Sequence, residues 1–522
     1  MPYLTIDGER IEFEKGETII RAAERNNIEI PYYCWHPRLS VAANCRMCLV
    51  EVESCPKLVP ACQTECQDGM IVNTKSQKVK ATQQAVHEFI LINHPIDCPI
   101  CDQAGECKLQ DYYMQWDKTQ SRMQDAKVNK PRHNRLGPYI IYNAERCIMC
   151  TLCVRFMEEI AGMRQLGIFN RGDHSEIDIF SGQPLDHPYS LNTVDICPVG
   201  ALTSTVFRFK QRVWNLKRSA SICNHCARGC NIYIDQRAGN IYRFIPRENE
   251  AVNQSWLCDE GRLAYSQTNQ RLAHALIKSS STPEPTVSDC NKAKQRAVDI
   301  LAKPNAVPPH LGAMLSLHAT CEEAYVFIRL LRDVFGVTKI ALLEYNLGTQ
   351  DSFLRLADKN PNRAGIMIII KELGVTIFDN NELLNAITNN SIKTLIVLGH
   401  EGDNAEVVAK TAAKANTNII HLTSARGPLS EVASVTLPIL AWPSLDGVWV
   451  NADLRAQCLT PAFTGEGDSQ PSYNWLINIA TCLGANFNLN SIETIRDQIT
   501  QQITAFAKIN LANIPSVGVE LA

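Results

Sequence analysis

The sequence predicts an α+β N-terminal region organised around cysteine, followed by an α/β half. Two observations carry this. Of 21 cysteines, 17 lie at or before Cys258, most of them in short-spaced groups. Beyond Pro285, apolar runs such as Ile340–Leu343, Leu395–Leu398 and Ile419–Leu422 alternate with helical stretches, the pattern of a parallel α/β sheet.

A chain of 522 residues is long enough for several domains. Lys+Arg number 51 against 54 Asp+Glu, a net charge of −3, which provides no field for gathering phosphate backbones and speaks against nucleic acid as a partner. No apolar run is long enough to span a membrane; Gly365–Ile370 stops at Lys371-Glu372. The first residues, Met1-Pro2-Tyr3-Leu4, have neither a signal-peptide nor a transit pattern, so the expectation is a soluble, cytosolic chain. In that reducing compartment, clustered cysteines point to metal rather than disulfides.

Along the chain, Leu4/Ile6 and Ile11/Phe13 alternate around Asp7-Gly8 as a hairpin. Ile19, Ile20, Ala22 and Ala23 mark one helix face after Glu17-Thr18, and Leu49–Glu53 is another strand. Strands, one helix and a cysteine-bearing loop fit a β-grasp ferredoxin over residues 1–80. Residues 81–138 form a second domain, whose 81–135 stretch reads as helical through Ala85, Phe89 and Ile92. A third domain covers 139–218 and a fourth 219–278. The polar, proline-containing Ser279–Pro285 stretch reads as the connection to the α/β domain, 279–522.

Four ligand sets follow. Cys34-x10-Cys45-x2-Cys48-x13-Cys62 suits a [2Fe–2S] cluster, although its first gap exceeds that of plant-type ferredoxins and Cys55 and Cys66 compete for the fourth place. His94-x3-Cys98-x2-Cys101-x5-Cys107 exchanges one sulfur for an imidazole nitrogen; structural zinc is the rival reading, as it is for the first set. Cys147-x2-Cys150-x2-Cys153 with the remote Cys197-Pro198 is the bacterial-ferredoxin [4Fe–4S] pattern, and Met157 stands where a two-cluster ferredoxin has another cysteine. Cys223-x2-Cys226-x3-Cys230-x27-Cys258 can hold a further [4Fe–4S] cluster or zinc. The left-over Cys55, Cys66, Cys290, Cys321, Cys458 and Cys482 share no motif with one another and read as small buried hydrophobes. Neither a Walker phosphate loop nor a G-x-G-x-x-G fingerprint is present, so the chain is not expected to bind the electron donor itself. The Gly399–Gly402 turn reads as a plain loop. A row of clusters without substrate chemistry reads as an electron wire.

These motifs, with Cys45-Arg46-Met47-Cys48-Leu49-Val50-Glu51-Val52 and Pro60-Ala61-Cys62-Gln63-Thr64, resemble the large iron–sulfur subunit of respiratory complex I, the G subunit of bacterial NADH–quinone oxidoreductase, over residues 1 to about 270. The resemblance implies Cys62 as the fourth [2Fe–2S] ligand. It also implies one [2Fe–2S] and three [4Fe–4S] clusters, with the Cys223 set off the main route, and a bacterial origin. Its implied partners are flavin/NADH-binding subunits and quinone-module subunits. The implied location is peripheral, on the cytoplasmic side of the bacterial inner membrane, with proton translocation coupled in the whole complex. More loosely, Glu431–Pro438, Asp446–Asn451 and Arg455–Gln457 resemble the late segment of molybdopterin oxidoreductases. Molybdenum enzymes of that family carry Lys where this chain has Glu260, and the half is short, so a scaffold without molybdenum or substrate site is expected, and no catalytic residue. The alternatives are electron-transfer subunits of an NAD-linked hydrogenase or a formate dehydrogenase, and a zinc-stapled scaffold. His94 is expected to raise the potential of its cluster, and backbone N–H groups to tune each cluster through its sulfurs.

Overall fold

The computed structural model describes residues 1–117, 120–279, 284–303, 307–485, 488–489 and 491–521. They form two compact units, Met1–Leu216 and Lys217–Ala522.

The first unit opens with the expected hairpin, β1 (Tyr3–Ile6) and β2 (Glu9–Glu12), which pairs Leu4 with Ile11 across the Asp7-Gly8 turn. With β3 (Leu49–Val52), β4 (Val59–Pro60) and β5 (Ile71–Asn73) it makes a mixed sheet in the order β2-β1-β5-β3-β4. Helix α1 (Ile19–Arg25) buries Ile19, Ile20, Ala22 and Ala23 in a core with Leu4, Ile6, Val50, Val52 and Val72. Alternation in the strands and the apolar stripe on α1 thus meet in one small core.

Helix α2 (Gln77–Leu91) departs from the expectation. Its buried residues are Val79, Gln83 and His87, while Ala85 and Phe89 face outward, Phe89 being 74% exposed. The His87 ring explains the inversion. It stacks between Tyr33 and Tyr113, and its Nε2 lies 3.3 Å from the Leu109 carbonyl, so a polar aromatic takes the inward face. Helix α3 (Lys108–Tyr112) runs into a wider π turn, Tyr113–Asp117, and residues 120–133 contain no helix. The helical reading of 81–135 therefore holds only through Leu91 and again from Lys108 to Asp117.

Strands β6 (Asn134–Arg135) and β7 (Ile140–Tyr142) lead to α4 (Leu152–Glu159). The hairpin β8 (Leu166–Phe169) and β9 (Glu176–Ile179) and the short α5 (Asn192–Asp195) follow, and β10 (Leu202–Ser204) pairs antiparallel with β7.

In the second unit, β11 (Lys217–Ile222), β12 (Asn231–Arg237) and β13 (Asn240–Pro246) form an antiparallel sheet, followed by α6 (Asp259–Leu263) and α7 (Tyr265–Thr268). Residues 280–283 of the expected connection lie outside the described residues. The strands on either side of them, β14 (Leu276–Ile277) and β15 (Thr286–Val287), pair antiparallel.

Then comes the alternation that the apolar runs predict. The strands are β16 (Leu311–Ser316), β17 (Lys339–Leu343), β18 (Thr376–Ile377), β19 (Thr394–Leu398), β20 (Asn418–Thr423) and β21 (Val435–Pro438). Among the helices are α8 (Cys290–Leu301), α9 (Cys321–Arg329), α10 (Arg363–Glu372), α11 (Asn380–Thr388), α12 (Ala405–Lys414) and α13 (Pro428–Val432). The eight-stranded sheet runs β15-β14-β21-β20-β19-β16-β17-β18, and its six strands from β21 to β18 are parallel. Both faces are covered: Leu315, Ile396, Leu398 and Ile420 enter one core, Met314, Leu395, Val397 and Ile419 the other. Continuous Leu-Ile-Val runs are what a sheet buried on both faces needs.

A separate sheet joins β22 (Gly447–Val450), β23 (Arg455–Leu459) and β24 (Val519–Glu520), and α14 (Ser472–Cys482) and α15 (Ile492–Gln502) add to the first core. The Gly365–Ile370 run sits inside α10, and no helix among the described residues is long and apolar enough to cross a membrane.

One buried ion network ties α9, α15 and β22 together. Arg496 donates from Nε to Glu322 Oε1 at 2.8 Å and from Nη2 to Asp446 at 2.7 Å, while Glu322 Oε2 accepts from the Val448 N–H at 2.9 Å. Glu322 is 0% exposed, so Arg496→Met strands a buried carboxylate. This variant is expected to lose about 3–5 kcal/mol in urea unfolding, and a loss below about 1 kcal/mol contradicts the reading.

Candidate iron–sulfur sites

The first set is assembled by the loop between α1 and β3 and by the turn after β4. The Cys34 and Cys45 thiols share a hydrogen bond, as do those of Cys48 and Cys62, and Cys62 also feels the charges of Cys34 and Cys45. Hydrogen bonding from Cys45 lowers Cys34 to about 6, with help from the Asn44 backbone and the Arg155 charge, against its burial. Cys66 stands apart. Its neighbours are Glu17 and Arg25, and burial raises it to about 11. Cys55 is held at the end of β3 by its N–H to the Val52 carbonyl. Of the three competitors for the fourth place, Cys62 faces the other thiols.

In the second set, Cys101 and Cys107 are each 9% exposed while Cys98 is exposed. Burial raises both buried thiols, Cys107 to about 11. His94 lies in the turn after α2, its N–H bonded to the Leu91 carbonyl. Burial lowers its pKa to about 4, and the Arg146 charge pushes the same way. The ring is therefore neutral at physiological pH, the form that binds metal, and its Nδ1 is buried with no hydrogen-bond partner. Arg146 faces Cys101 as well as His94.

The third set lies between β7 and β10. Cys147, Cys150, Cys153 and Cys197 line one cavity together with Tyr142, Ile177 and Leu202. The thiols converge on that cavity rather than on a point: no group of three or more His, Cys, Asp or Glu among the described residues is placed to hold a single metal ion. Met157, at the position of the absent further cysteine, is fully buried. Three contacts here leave no trace in the spacing. The Tyr142 hydroxyl bonds the Cys147 thiol and works against the burial that raises it. The backbone N–H of Met149 points at Cys147 Sγ, 3.4 Å away. Gly200 lies flat against the second set, where a Cβ would stand 2.2 Å from Cys101 Sγ. The Cys197–Gly200 segment thus serves both sets, and the Lys108 N–H bonds the Pro198 carbonyl at 3.2 Å.

Two arginines flank the Cys147 triplet and reach outward from it. Arg146 pairs with Asp97, just before Cys98, at 2.8 Å. Arg155 donates from Nη2 to the Cys34 carbonyl at 2.6 Å and to the Cys150 carbonyl at 3.3 Å, and from Nη1 to the Ser40 carbonyl. Asn44 Nδ2 also bonds the Met149 carbonyl at 3.1 Å. Within this unit the third set is joined to the loops of both the first and the second.

The fourth set belongs to the second unit. Cys223 follows β11, Cys230 precedes β12, and Cys258 caps α6, where its Sγ accepts from the Gly261 N–H at 3.3 Å. All four thiols are buried, and burial raises Cys258 to about 12. The late segment holds this loop. Gln457 Nε2 donates to the Gly229 carbonyl at 2.9 Å, and Asn451 Nδ2 to the Arg228 carbonyl at 3.1 Å. Gly229 has a φ of +65°, and a Cβ there would meet Gln457 Oε1 at 2.3 Å, so a larger residue is strained there. Glu260 is paired with His225 at 3.2 Å, Lys359 at 3.3 Å and Arg355 at 3.0 Å.

The donor chemistry fits iron–sulfur groups. Buried thiols pushed upward are poor free anions, and binding iron releases their protons and supplies the countercharge.

The family comparisons divide the N-terminal half in the same order. Residues 3–77 match a 2Fe-2S iron-sulfur cluster binding domain, and 83–122 an NADH-ubiquinone oxidoreductase-G iron-sulfur binding region. Residues 137–203 match the ferredoxin-like domain of NADH-quinone oxidoreductase subunit 3, and 216–266 an NADH-ubiquinone oxidoreductase NDSU1/NuoG-like 4Fe-4S domain. The G subunit of NADH-quinone oxidoreductase from Rickettsia prowazekii is 41% identical over 345 residues, 66% of this chain and 50% of the relative. Over this N-terminal stretch, the chain is similar to that iron–sulfur subunit. The mitochondrial 78 kDa subunit of NADH-ubiquinone oxidoreductase from Candida albicans is 40% identical over 288 residues, 55% of this chain and 40% of that one. The G subunit of the Mycobacterium bovis oxidoreductase is 37% identical over 344 residues, 65% of this chain and 43% of that one. The chain therefore spans about half the length of the curated relatives it matches. A solved NAD+-reducing [NiFe]-hydrogenase in its H2-reduced state aligns with a TM-score of 0.37 and 29% identity, covering 41% of this chain and 91% of that one.

The Arg155 bridge makes a prediction. A fixed cation beside two donor loops favours the reduced state of both sites. In potentiometric EPR titrations, Arg155→Met is expected to lower the midpoints of the binuclear signal and of the Cys147-set signal together. A shift in neither, or in only one, contradicts the bridge.

Proposed function

We propose that the chain relays single electrons as an iron–sulfur subunit of the peripheral arm of NADH:quinone oxidoreductase. The observation that carries this reading is that the Cys147 set is joined to the first set through Arg155 and to the second through Arg146 and Gly200. Donor sets that share backbone and side-chain walls leave little insulating protein between them, as electron transfer over a long path requires. When bound, the iron–sulfur groups supply reversible one-electron chemistry without bond rearrangement of a substrate.

Cys34, Cys45, Cys48 and Cys62 would hold a [2Fe–2S] cluster. His94, Cys98, Cys101 and Cys107 would hold one [4Fe–4S] cluster, Cys147, Cys150, Cys153 and Cys197 a second, and Cys223, Cys226, Cys230 and Cys258 a third. The chain's own groups keep the His94 ring neutral, hold Cys147 through Tyr142, and place backbone N–H groups on sulfur. Flavin/NADH-binding subunits on the donor side and quinone-module subunits on the acceptor side would be the partners, with the chain peripheral on the cytoplasmic face of a bacterial inner membrane. The exposed Cys98, between the exposed Ile96 and Ile100, gives the second set an outward face suited to such a partner.

The second unit is read as a shortened molybdopterin-oxidoreductase-like scaffold without molybdenum. Supporting this, the position that is Lys in molybdenum enzymes is Glu260, paired with Lys359 and Arg355 and hydrogen-bonded to His225. The division into domains at 1–80, 81–138, 139–218, 219–278 and 279–522 belongs to the same proposal.

Iron and acid-labile sulfide on anaerobically purified protein test the reading. About 14 iron per chain, with binuclear and tetranuclear EPR signals, is expected; zinc without iron overturns it. At the first set, Cys62→Ser should abolish the binuclear signal and Cys66→Ser should leave it, and the reverse result reassigns the ligand.

A further inference from the structure

Arg146 is a buried cation shared between two cysteine sets. It ends the 3₁₀ turn Ala144–Arg146, directly before Cys147, and its side chain is 4% exposed. A guanidinium keeps its proton at every physiological pH, so one taken out of water has to be given acceptors. They come from the adjoining loop, where Asp97 Oδ2 accepts from Arg146 Nε at 3.1 Å and from Nη2 at 2.8 Å. Asp97 stands between His94 and Cys98, and its carbonyl accepts the Ile100 and Cys101 N–H groups at 2.8 and 2.7 Å. The residue that compensates Arg146 therefore also forms the turn that carries Cys98 and Cys101.

The other end of Arg146 is fixed beside the third set. Its N–H donates to Asn143 Oδ1 at 3.3 Å, and the Asn143 N–H donates to the Ala201 carbonyl at 2.7 Å. The side chain then passes Gly200, the neighbour of Ala201. A Cβ on Gly200 would stand 3.8 Å from Arg146 Cδ and 2.2 Å from Cys101 Sγ. The charge of the guanidinium reaches His94 and Cys101 alike.

Further cations gather on the same loop. Arg212 donates from Nη1 to the Cys101 carbonyl at 2.6 Å and from Nη2 to the Pro99 carbonyl. Arg208 lies 3.1 Å from His133 Nδ1, and burial, followed by repulsion from Arg146, lowers its pKa. Asp97 and Asp102 oppose these charges. Arginines that repel one another are held together at a cost, which a site that gains negative charge on each reduction offsets. A purely structural pair gives no reason for the arrangement, since apolar side chains of similar volume fill such a space as well.

We propose that Arg146 is a positioning residue for electron transfer at the second set: acting through Asp97, it holds a fixed positive charge against the Cys98–Cys101 loop and so raises the midpoint potential there. The proposal rests on the electron-relay reading. The transfer it serves oxidises one set by one electron and reduces the other by one, with no bond made or broken.

Potentiometric EPR titration of the full, anaerobically purified chain tests it, the second-set signal being the one that His94→Cys alters. Arg146→Met should lower the second-set midpoint. Asp97→Asn, which removes the opposing charge and keeps an acceptor, should raise it. Arg146→Lys should keep the midpoint near its wild-type value, and the binuclear midpoint should stay in place in all three. Opposite shifts from the two partners of one ion pair are a result that loosened packing does not produce. Where Arg146→Met loses its iron, Asp97→Asn and Arg146→Lys carry the test. An unmoved second-set midpoint, or shifts in the same direction from the two partners, overturns the proposal and leaves the relay reading intact; a wild-type chain without iron overturns both.

Discussion

Two arginines placed on either side of one cysteine triplet join the three cysteine sets of the first unit. Arg146 precedes Cys147 and pairs with Asp97 in the adjoining loop; Arg155 follows Cys153 and reaches the carbonyls of Cys34 and Cys150. Buried charge pairs of this kind contribute little net stability, because the desolvation they require offsets the attraction. Geometry is what they supply. A guanidinium presents a rigid fork of donors, so two loops bonded to one fork cannot drift apart independently. Where function depends on the separation between neighbouring sites, that rigidity matters more than free energy.

The cysteine motifs are legible in the sequence because gathering short-spaced thiols is partly a local problem. A C-x2-C step confines two sulfurs to one loop, and the hairpin, the α1 stripe and the parallel-strand runs are also short-range patterns. What closes each site is long-range and leaves no mark in spacing. Cys62 and Cys66 look equivalent along the chain and differ because Cys66 turns toward Glu17 and Arg25. Tyr142, Arg155 and Gly200 stand close in sequence to ligand cysteines yet act on partners revealed only by folding. A Tyr-to-Cys hydrogen bond and a missing Cβ against a thiol have no periodic signature. In α2 the periodicity points the wrong way: the apolar Phe89 is outside and His87 inside, because a ring stacked between two tyrosines outweighs a helical stripe.

The second unit shows a different division of labour. Its fourth cysteine set is held by a hairpin more than 200 residues downstream, where Gln457 and Asn451 bond the carbonyls of Gly229 and Arg228. The late segment that resembles molybdopterin oxidoreductases is therefore also the part that grips the cysteine-bearing loop. Glu260, two residues past the last cysteine of that set, is surrounded by His225, Arg355 and Lys359. A carboxylate so compensated is stable where it stands and leaves no net charge for an anion.

That compensation bears on what the sheet can still do. A doubly wound sheet directs its strand ends toward one crevice whether or not chemistry occurs there, since the crevice follows from the reversal in winding and not from any particular side chain. A scaffold retained only as packing would be expected to fill such a space, because voids forfeit dispersion contacts and unpaired polar atoms are expensive. Here it stays open, walled by His318, Tyr345 and His400. Selection for packing alone does not account for that.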